Sequence, residues 1–240
     1  MKYFTRIHTY SRYIPVVTLS MISLLFLCFH FQTQLGATGN AAKTASFFSI
    51  SGETARNGHI LRLITANLFH VNPGHFQSNI FGLLFFSSCL EMVMGKPRTA
   101  IIILLSALGG TIGSLLFHIV DWMVGSSTIL FGVFGGLGIL IIKYRKELNR
   151  YFIPLVISWC ISLIPMCTLG YLSLARVDQG AHVGGFFAGI LTTWIMVYPY
   201  SMREINKPSS LRVRLFLVLL LAVFVLSIMK EIVPLFRLLA

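Results

Sequence analysis

Three short polar segments of the sequence each lead into a long apolar run, and each carries a side chain suited to catalysis. Ser127 follows Gly125 in the segment Gly-Ser-Ser-Thr, and His182 stands in Gly-Ala-His-Val-Gly-Gly. His75 and Asn79, four residues apart, share one face at the start of another predicted helix. A serine hydroxyl, a histidine base and a pair of hydrogen-bond donors are the groups that acyl transfer requires.

The elements that must position these residues are membrane helices. Of the 240 residues, 56% are hydrophobic and 11% are charged, whereas soluble domains carry about 25% charged residues. Apolar runs of about 20 residues alternate with short polar segments, which is typical of a chain that crosses a membrane several times. The net charge of +12 does not indicate nucleic-acid binding, because the basic residues lie between apolar runs and form no single basic face.

The cysteines and histidines show no metal-binding pattern. The four cysteines each lie within an apolar run without CxxC spacing, which favours small buried side chains over a disulfide or a zinc site. No HExxH sequence occurs. We therefore expect no metal and no cofactor. The four cysteines are Cys28, Cys89, Cys160 and Cys167.

The apolar runs predict seven transmembrane helices. A signal peptide is the alternative for the first run, but the apolar core of a signal peptide has about 7–15 residues. This run is longer, so we expect a retained helix. Residues 32–69 hold short amphipathic pieces that are typical of an interface. We expect a cytoplasmic N-terminus at 1–13, a six-helix catalytic core at 14–200, and a cytoplasmic loop with an additional helix at 201–240. The predicted spans are 14–31, 75–94, 100–120, 127–142, 151–174, 181–200 and 211–229.

The distribution of basic residues orients these helices. With the N-terminus inside, the inner segments hold 13 of the 19 Lys and Arg residues and the outer segments hold 6, in agreement with the positive-inside rule. The second, fourth and sixth helices then run from outside to inside. His75, Asn79, Ser127 and His182, in their first turns, would share one depth in the outer leaflet. We expect a multi-pass protein of a bacterial inner membrane whose site opens to the outer face.

Each candidate residue also has a plainer interpretation. A serine in a membrane helix usually bonds its own backbone, and a histidine or asparagine often makes an interhelical hydrogen bond. Ser127 is distinguished by the small residues around it, and His182 by its place in a span, where ionisable residues are usually functional. Asp178, four residues before His182, is expected to be solvated. A Ser–His dyad is therefore favoured over a triad, and the lack of paired aspartates in the spans argues against an aspartyl protease.

These motifs resemble those of the rhomboid intramembrane serine proteases over residues 60–200. The family's pattern of His, four residues, His, three residues and Asn is matched by His70, His75 and Asn79. Its nucleophile motif is matched by Gly125 and Ser127. Arg62 also matches, although Leu61 stands in place of the usual tryptophan before it. Phe131 matches the aromatic residue that packs on the catalytic histidine in the family. The remaining matches are Glu91 and, in the sixth helix, Ala181, His182, Gly185 and Gly189.

One position departs from the family pattern. Thr128 stands where glycine is usual, and its β-branched side chain is expected to narrow the room beside the nucleophile. Arg62 and Glu91 are expected to be structural, with Glu91 received by a neighbouring loop. The glycine pair of the sixth helix is expected to seat that helix tightly against a neighbour.

The resemblance implies an all-α fold, a rhomboid-like six-helix bundle with a seventh, C-terminal transmembrane helix. It implies a serine endopeptidase of the lipid bilayer that cleaves transmembrane protein substrates in or near their membrane segment. Ser127 would be the nucleophile and His182 the general base, while His75, Asn79 and the Ser127 backbone N–H would hold the oxyanion. Two alternatives stay open. One is a catalytically impaired pseudoprotease or client-binding scaffold, and the other is a channel or transporter, although no paired discontinuous helices are evident.

Overall fold

The structure, a computed structural model, describes residues 14–117, 121–172 and 177–197. These residues form helices joined by short connections, with one isolated antiparallel bridge. The helices are α1 (Val16–Gln34), α2 (Ala41–Phe48), α3 (Gly52–Arg56), α4 (Arg62–Thr65), α5 (Pro73–Met94), α6 (Lys96–Phe117), α7 (Ser127–Lys143), α8 (Arg145–Leu148), α9 (Phe152–Leu172) and α10 (Gln179–Val197), with 3₁₀ turns at Ala66–Leu68 and Asn149–Tyr151.

The prediction of an all-α, multi-pass membrane protein is confirmed. Five helical stretches are long and apolar enough to cross a membrane, and α7 is a shorter apolar helix of 17 residues. Six of the predicted spans correspond to α1, α5, α6, α7, α9 and α10, with ends that differ by a few residues. The predicted seventh span at 211–229, the loop before it and the N-terminal segment at 1–13 lie outside the described residues.

Helix α5 begins two residues before the predicted start because its first turn is capped. The side chain of Asn72 accepts a hydrogen bond from the backbone N–H of His75 at 2.8 Å, and Pro73 occupies the first helical position. Asparagine is among the preferred N-cap residues, and proline suits the first turn because that N–H has no intrahelical acceptor. This cap fixes where the face carrying His75 and Asn79 begins.

Residues 32–69 fold over one end of the bundle. The guanidinium of Arg62 is buried and donates to the carbonyl oxygens of Ser46 at 3.1 Å and Ser49 at 3.2 Å. These bonds hold the C-terminal end of α2 against α4. The antiparallel bridge then joins Ile50 to Met123, in the connection that leads to α7. The segment before α5 is thereby tied to the segment before α7.

Glu91 is structural, but the start of a helix receives it instead of a loop. Its carboxylate is fully buried and accepts hydrogen bonds from the backbone N–H groups of Val17 at 3.0 Å and Thr18 at 2.8 Å. The hydroxyl of Thr18 adds a third bond at 2.9 Å. A carboxylate at a helix N-terminus satisfies N–H groups that lack intrahelical acceptors, and it also complements the helix dipole. Glu91 therefore joins the end of α5 to the start of α1.

Glycines allow the backbone of α10 to contact the backbones of α6 and α7 directly. A Cβ added at Gly185 would overlap the carbonyl oxygen of Thr128, and one added at Gly189 would overlap the carbonyl oxygen of Gly132. On the α6 side, a Cβ at Gly113 would overlap the carbonyl oxygen of Gly180. Small residues permit such close packing of membrane helices. The consequence for the site is that the first turns of α7 and α10 lie directly against each other.

Candidate active site

Ser127 and His182 are brought together by the packing of α7 against α10. Ser127 is the first residue of α7, and His182 lies in the first turn of α10. The Nε2 atom of His182 is 3.0 Å from the Oγ atom of Ser127. A nucleophile and its general base require about 2.6–3.2 Å. Both residues are half-buried, so the pair stands at the edge of the packed interior and not within it.

The imidazole of His182 is oriented by an aromatic ring. Phe131, one turn after Ser127 on α7, stacks on it with ring centroids 4.1 Å apart and an interplanar angle of 14°. Residues four apart on a helix share a face, so α7 supplies both the hydroxyl partner and the surface on which the histidine rests. Stacking restricts rotation of the imidazole and leaves Nε2 directed at the serine.

Gly125 is needed for its backbone conformation and for its lack of a side chain. Its φ of 127° lies in the region that favours glycine. A Cβ at this position would stand 2.6 Å from the Cε1 atom of His75, and the Gly125 N–H donates to the carbonyl oxygen of Ala66 at 3.1 Å. The chain leading to Ser127 therefore passes directly against the His75 ring, which places that ring beside the candidate nucleophile.

His75 and Asn79 present polar atoms that have no partner within the described residues. The Nδ2 atom of Asn79 and the Nδ1 atom of His75 are buried, and no hydrogen-bond partner is found for either there. Asn79 is 3% exposed. A buried donor left without an acceptor costs about 1–3 kcal/mol, so such a group needs an explanation. Donors reserved for a transient negative charge would provide one.

A second serine–histidine pair lies beside the first. The Nε2 atom of His70 is 3.2 Å from the Oγ atom of Ser126, and the backbone N–H of Ser126 also points to it at 3.4 Å. Both residues are fully buried. Burial, with a smaller contribution from nearby His75, holds the pKa of His70 well below its ordinary value. His70 is therefore a neutral structural residue that anchors the segment before the candidate nucleophile.

Asp178 is not solvated, contrary to the expectation from the sequence. It is 8% exposed, and its carboxylate accepts from the Ser114 hydroxyl and, at 3.0 Å, from the backbone N–H of Ala181. It therefore caps the start of α10 and links that start to α6. Burial is possible because both of its oxygens have donors. Asp178 therefore fixes the backbone next to His182, and neither of its two side-chain hydrogen bonds is made with the imidazole.

Sequence reasoning missed two polar residues that support the segment before α5. The side-chain amide of Gln32 donates to the carbonyl oxygen of His70 at 2.5 Å and accepts from its N–H at 3.1 Å. Asn67 is fully buried and bonds Thr111 and Thr128. A polar residue at the end of an apolar run, such as Gln32, is a usable signal. Asn67 gives no such signal, because Thr111 and Thr128 lie 44 and 61 residues away in the sequence.

The chain matches a known domain family over its central part. Residues 57–199 match the Rhomboid domain. The chain is 33% identical over 137 residues to RHOMBOID-like protein 4 of Arabidopsis thaliana, which covers 57% of this chain and 34% of that protein. It is 30% identical over 139 residues to Rhomboid-like protease 3 of Toxoplasma gondii, covering 56% and 51%. The matched part thus spans about a third to a half of those two relatives.

A third relative matches over more of both chains. It is the protein named Putative rhomboid protease YdcA of Bacillus subtilis (strain 168), which is 27% identical over 192 residues, 79% of this chain and 92% of that protein. The domain match includes α4 to α10 and every residue of the candidate site. The chain belongs to the rhomboid family.

Proposed function

We propose that the protein is an intramembrane serine endopeptidase that cleaves membrane-protein substrates in or near a transmembrane segment. The observation that carries this proposal is the 3.0 Å contact between Ser127 Oγ and His182 Nε2 in a half-buried position. Membership of a family whose members are generally intramembrane serine proteases supports the same reading. The pair of His70 and Ser126 is less suited, because both residues are fully buried and out of reach of a substrate.

The proposed reaction follows from the positions of these groups. Ser127 Oγ attacks the scissile carbonyl carbon while its proton passes to His182 Nε2, and His182 then gives this proton to the leaving amine. Water completes the cycle by hydrolysing the acyl-enzyme. The oxyanion is stabilised by the Ser127 backbone N–H, by Asn79 Nδ2 and by His75. The first N–H groups of a helix lack intrahelical acceptors, so the position of Ser127 at the start of α7 suits this role.

The proposal is tested by turnover of a single-pass reporter substrate in proteoliposomes. Ser127→Ala and His182→Ala should each abolish cleavage, and the double variant should be no worse than either, because the two residues act as a unit. Ser162→Ala is the matched control, since that serine is half-buried on α9 like Ser127 on α7, and its hydroxyl donates only to the Ser158 carbonyl oxygen among its described contacts. Cleavage that persists in Ser127→Ala would exclude the serine mechanism. A wild-type protein without turnover would favour a client-binding scaffold.

We also infer that the N-terminus is cytoplasmic, in a bacterial inner membrane, and that the site opens to the outer face. The bias of basic residues toward the inner segments supports this orientation. A reporter fused after residue 240 should report the outer side, and one inserted at 143–150 should report the inner side. The reverse pattern would place the site on the cytoplasmic side.

A further inference from the structure

The residues on both sides of Ser127 are tied to one short segment of the chain, residues 66–70. Gly125 donates its N–H to the carbonyl oxygen of Ala66, and the Ser126 hydroxyl meets His70 Nε2 at 3.2 Å. On the other side, the Thr128 hydroxyl donates to Asn67 Oδ1. Residues 66–70 therefore make hydrogen bonds with the chain on both sides of the candidate nucleophile, before it and after it.

Thr128 stands where the family pattern has glycine, and its side chain occupies the space beside Gly110 of α6. It is 1% exposed. A Cβ added at Gly110 of α6 would lie 2.5 Å from the Thr128 Cβ and 2.6 Å from its Cγ2. The threonine side chain thus packs between α7 and α6, on a side of α7 that contacts α6 and Asn67. Its hydroxyl is buried and has a defined partner.

The direction of the bond from Thr128 follows from the other bonds of Asn67. The Nδ2 atom of Asn67 donates to the carbonyl oxygens of Leu63 at 3.2 Å and Ile64 at 3.1 Å, and to the Thr111 hydroxyl at 3.1 Å. These acceptors fix the amide so that Oδ1 faces Thr128, where it can only accept. The Thr128 hydroxyl must therefore be the donor. Asn67 joins α4, α6 and α7 in one buried network.

We propose that Asn67 and Thr128 are positioning residues for Ser127. This inference rests on the proposed function and extends it. The first turn of α7 lacks part of the hydrogen bonding that fixes a helix interior, so contacts from outside the helix set the position of the Ser127 N–H and Oγ. The link from Thr128 to Asn67 fixes the residue directly after the nucleophile. Loss of this bond displaces the Ser127 N–H and Oγ, which must contact the transition state. Substrate binding does not depend on the bond and stays unchanged.

The test is a pair of substitutions at Thr128 that separates its hydroxyl from its shape. Thr128→Val keeps the shape and removes the donor, whereas Thr128→Ser keeps the donor. Misplacement by about 1 Å can cost about 10² in rate, so we expect Thr128→Val to lower kcat roughly tenfold with KM unchanged. Thr128→Ser should stay within about twofold of the wild-type kcat, since the donor is retained. Both constants are measured on purified protein in proteoliposomes, per mole of folded protein.

Two further comparisons separate positioning from a loss of stability. Thr18→Val removes a buried threonine hydroxyl that bonds Glu91 at 2.9 Å, far from Ser127 in the fold, and it should lower Tm while leaving kcat unchanged. In a background of Asn67→Leu, adding Thr128→Val should cause no further fall in kcat, because the bond is already lost. A wild-type kcat in Thr128→Val, or an equal fall in Thr128→Ser, would overturn this inference and leave the proposed function intact. A wild-type protein without turnover would overturn both.

Discussion

The ring of Phe131 lies nearly parallel to the ring of His182, with their centroids 4.1 Å apart. Phe131 is 8% exposed, and it belongs to the helix whose first residue is Ser127. One helix therefore carries both the group that the imidazole would deprotonate and the group that limits its rotation. In our proposal this arrangement prepares the general base before a substrate binds.

Phe131→Leu is predicted to slow cleavage more than it destabilises the fold. Aromatic stacking contributes about 0.5–1.5 kcal/mol beyond burial, which corresponds to about 2- to 12-fold in rate. Phe134→Leu is the matched control, because Phe134 lies on the same helix but stacks on Trp159, with centroids 4.8 Å apart. We expect kcat per folded protein to fall only in Phe131→Leu. An equal fall in both variants would mean that general loosening of α7 is responsible.

Asn79 Nδ2 and His75 Nδ1, for which the described part of the chain holds no hydrogen-bond partner, give a second prediction. If they hold the oxyanion, Asn79→Ala and His75→Ala should lower kcat, by about 10²–10³ for a donor that acts alone, or roughly 2.7–4 kcal/mol. We expect a loss of at least about tenfold in one of them, because the Ser127 N–H can partly replace the other donor. The measurement is kcat in detergent beside thermal stability.

A packing role for these two residues predicts a different pattern. An interhelical hydrogen bond in a membrane contributes only about 0.6 kcal/mol, and its loss would appear in Tm instead of in kcat. Ser87→Ala is the control, since Ser87 is buried on the same helix and bonds Thr18 at 2.9 Å. Unchanged kcat in both Asn79→Ala and His75→Ala would remove these residues from the site.

The cap at the start of α10 gives a third prediction. Asp178→Ala removes the acceptor of the Ala181 N–H, and loss of an N-cap costs about 0.5–2 kcal/mol. Because His182 lies in that first turn, kcat should fall together with Tm. Asp178→Asn keeps a side-chain oxygen for the cap and an amide that can donate to Ser114, so it should be much milder. If Asp178→Asn proved as harmful as Asp178→Ala, the negative charge itself, and not the cap, would be essential.

Much of the architecture could be predicted from the sequence because membrane helices require long apolar runs. The shared helical face of His75 and Asn79 could also be predicted, since these residues are four apart. The burial of Asp178 could not be predicted from the sequence. A carboxylate between two spans suggests solvent unless its donors are known, and one of these, Ser114, lies 64 residues away in the sequence. Predictions that fail in this way depend on tertiary partners.

The two adjacent serines illustrate the same limit. Ser126 and Ser127 have the same side chain in the same polar segment, yet one is fully buried against His70 and the other is half-buried against His182. The spacing of the family motif identifies Ser127 as the candidate nucleophile. The packing of α10 against α7 supplies the physical reason, because it brings His182 to the Ser127 hydroxyl and leaves the Ser126 hydroxyl buried.

The most direct test of the central claim is to locate the covalent adduct of a serine-reactive fluorophosphonate by mass spectrometry of the intact membrane-reconstituted protein and its peptides. An activated hydroxyl reacts because a base removes its proton. We predict an adduct on Ser127, none on the neighbouring Ser126, and loss of labelling in folded His182→Ala protein. Labelling on Ser126, or labelling of Ser127 at the wild-type rate in His182→Ala, would contradict a Ser127–His182 dyad.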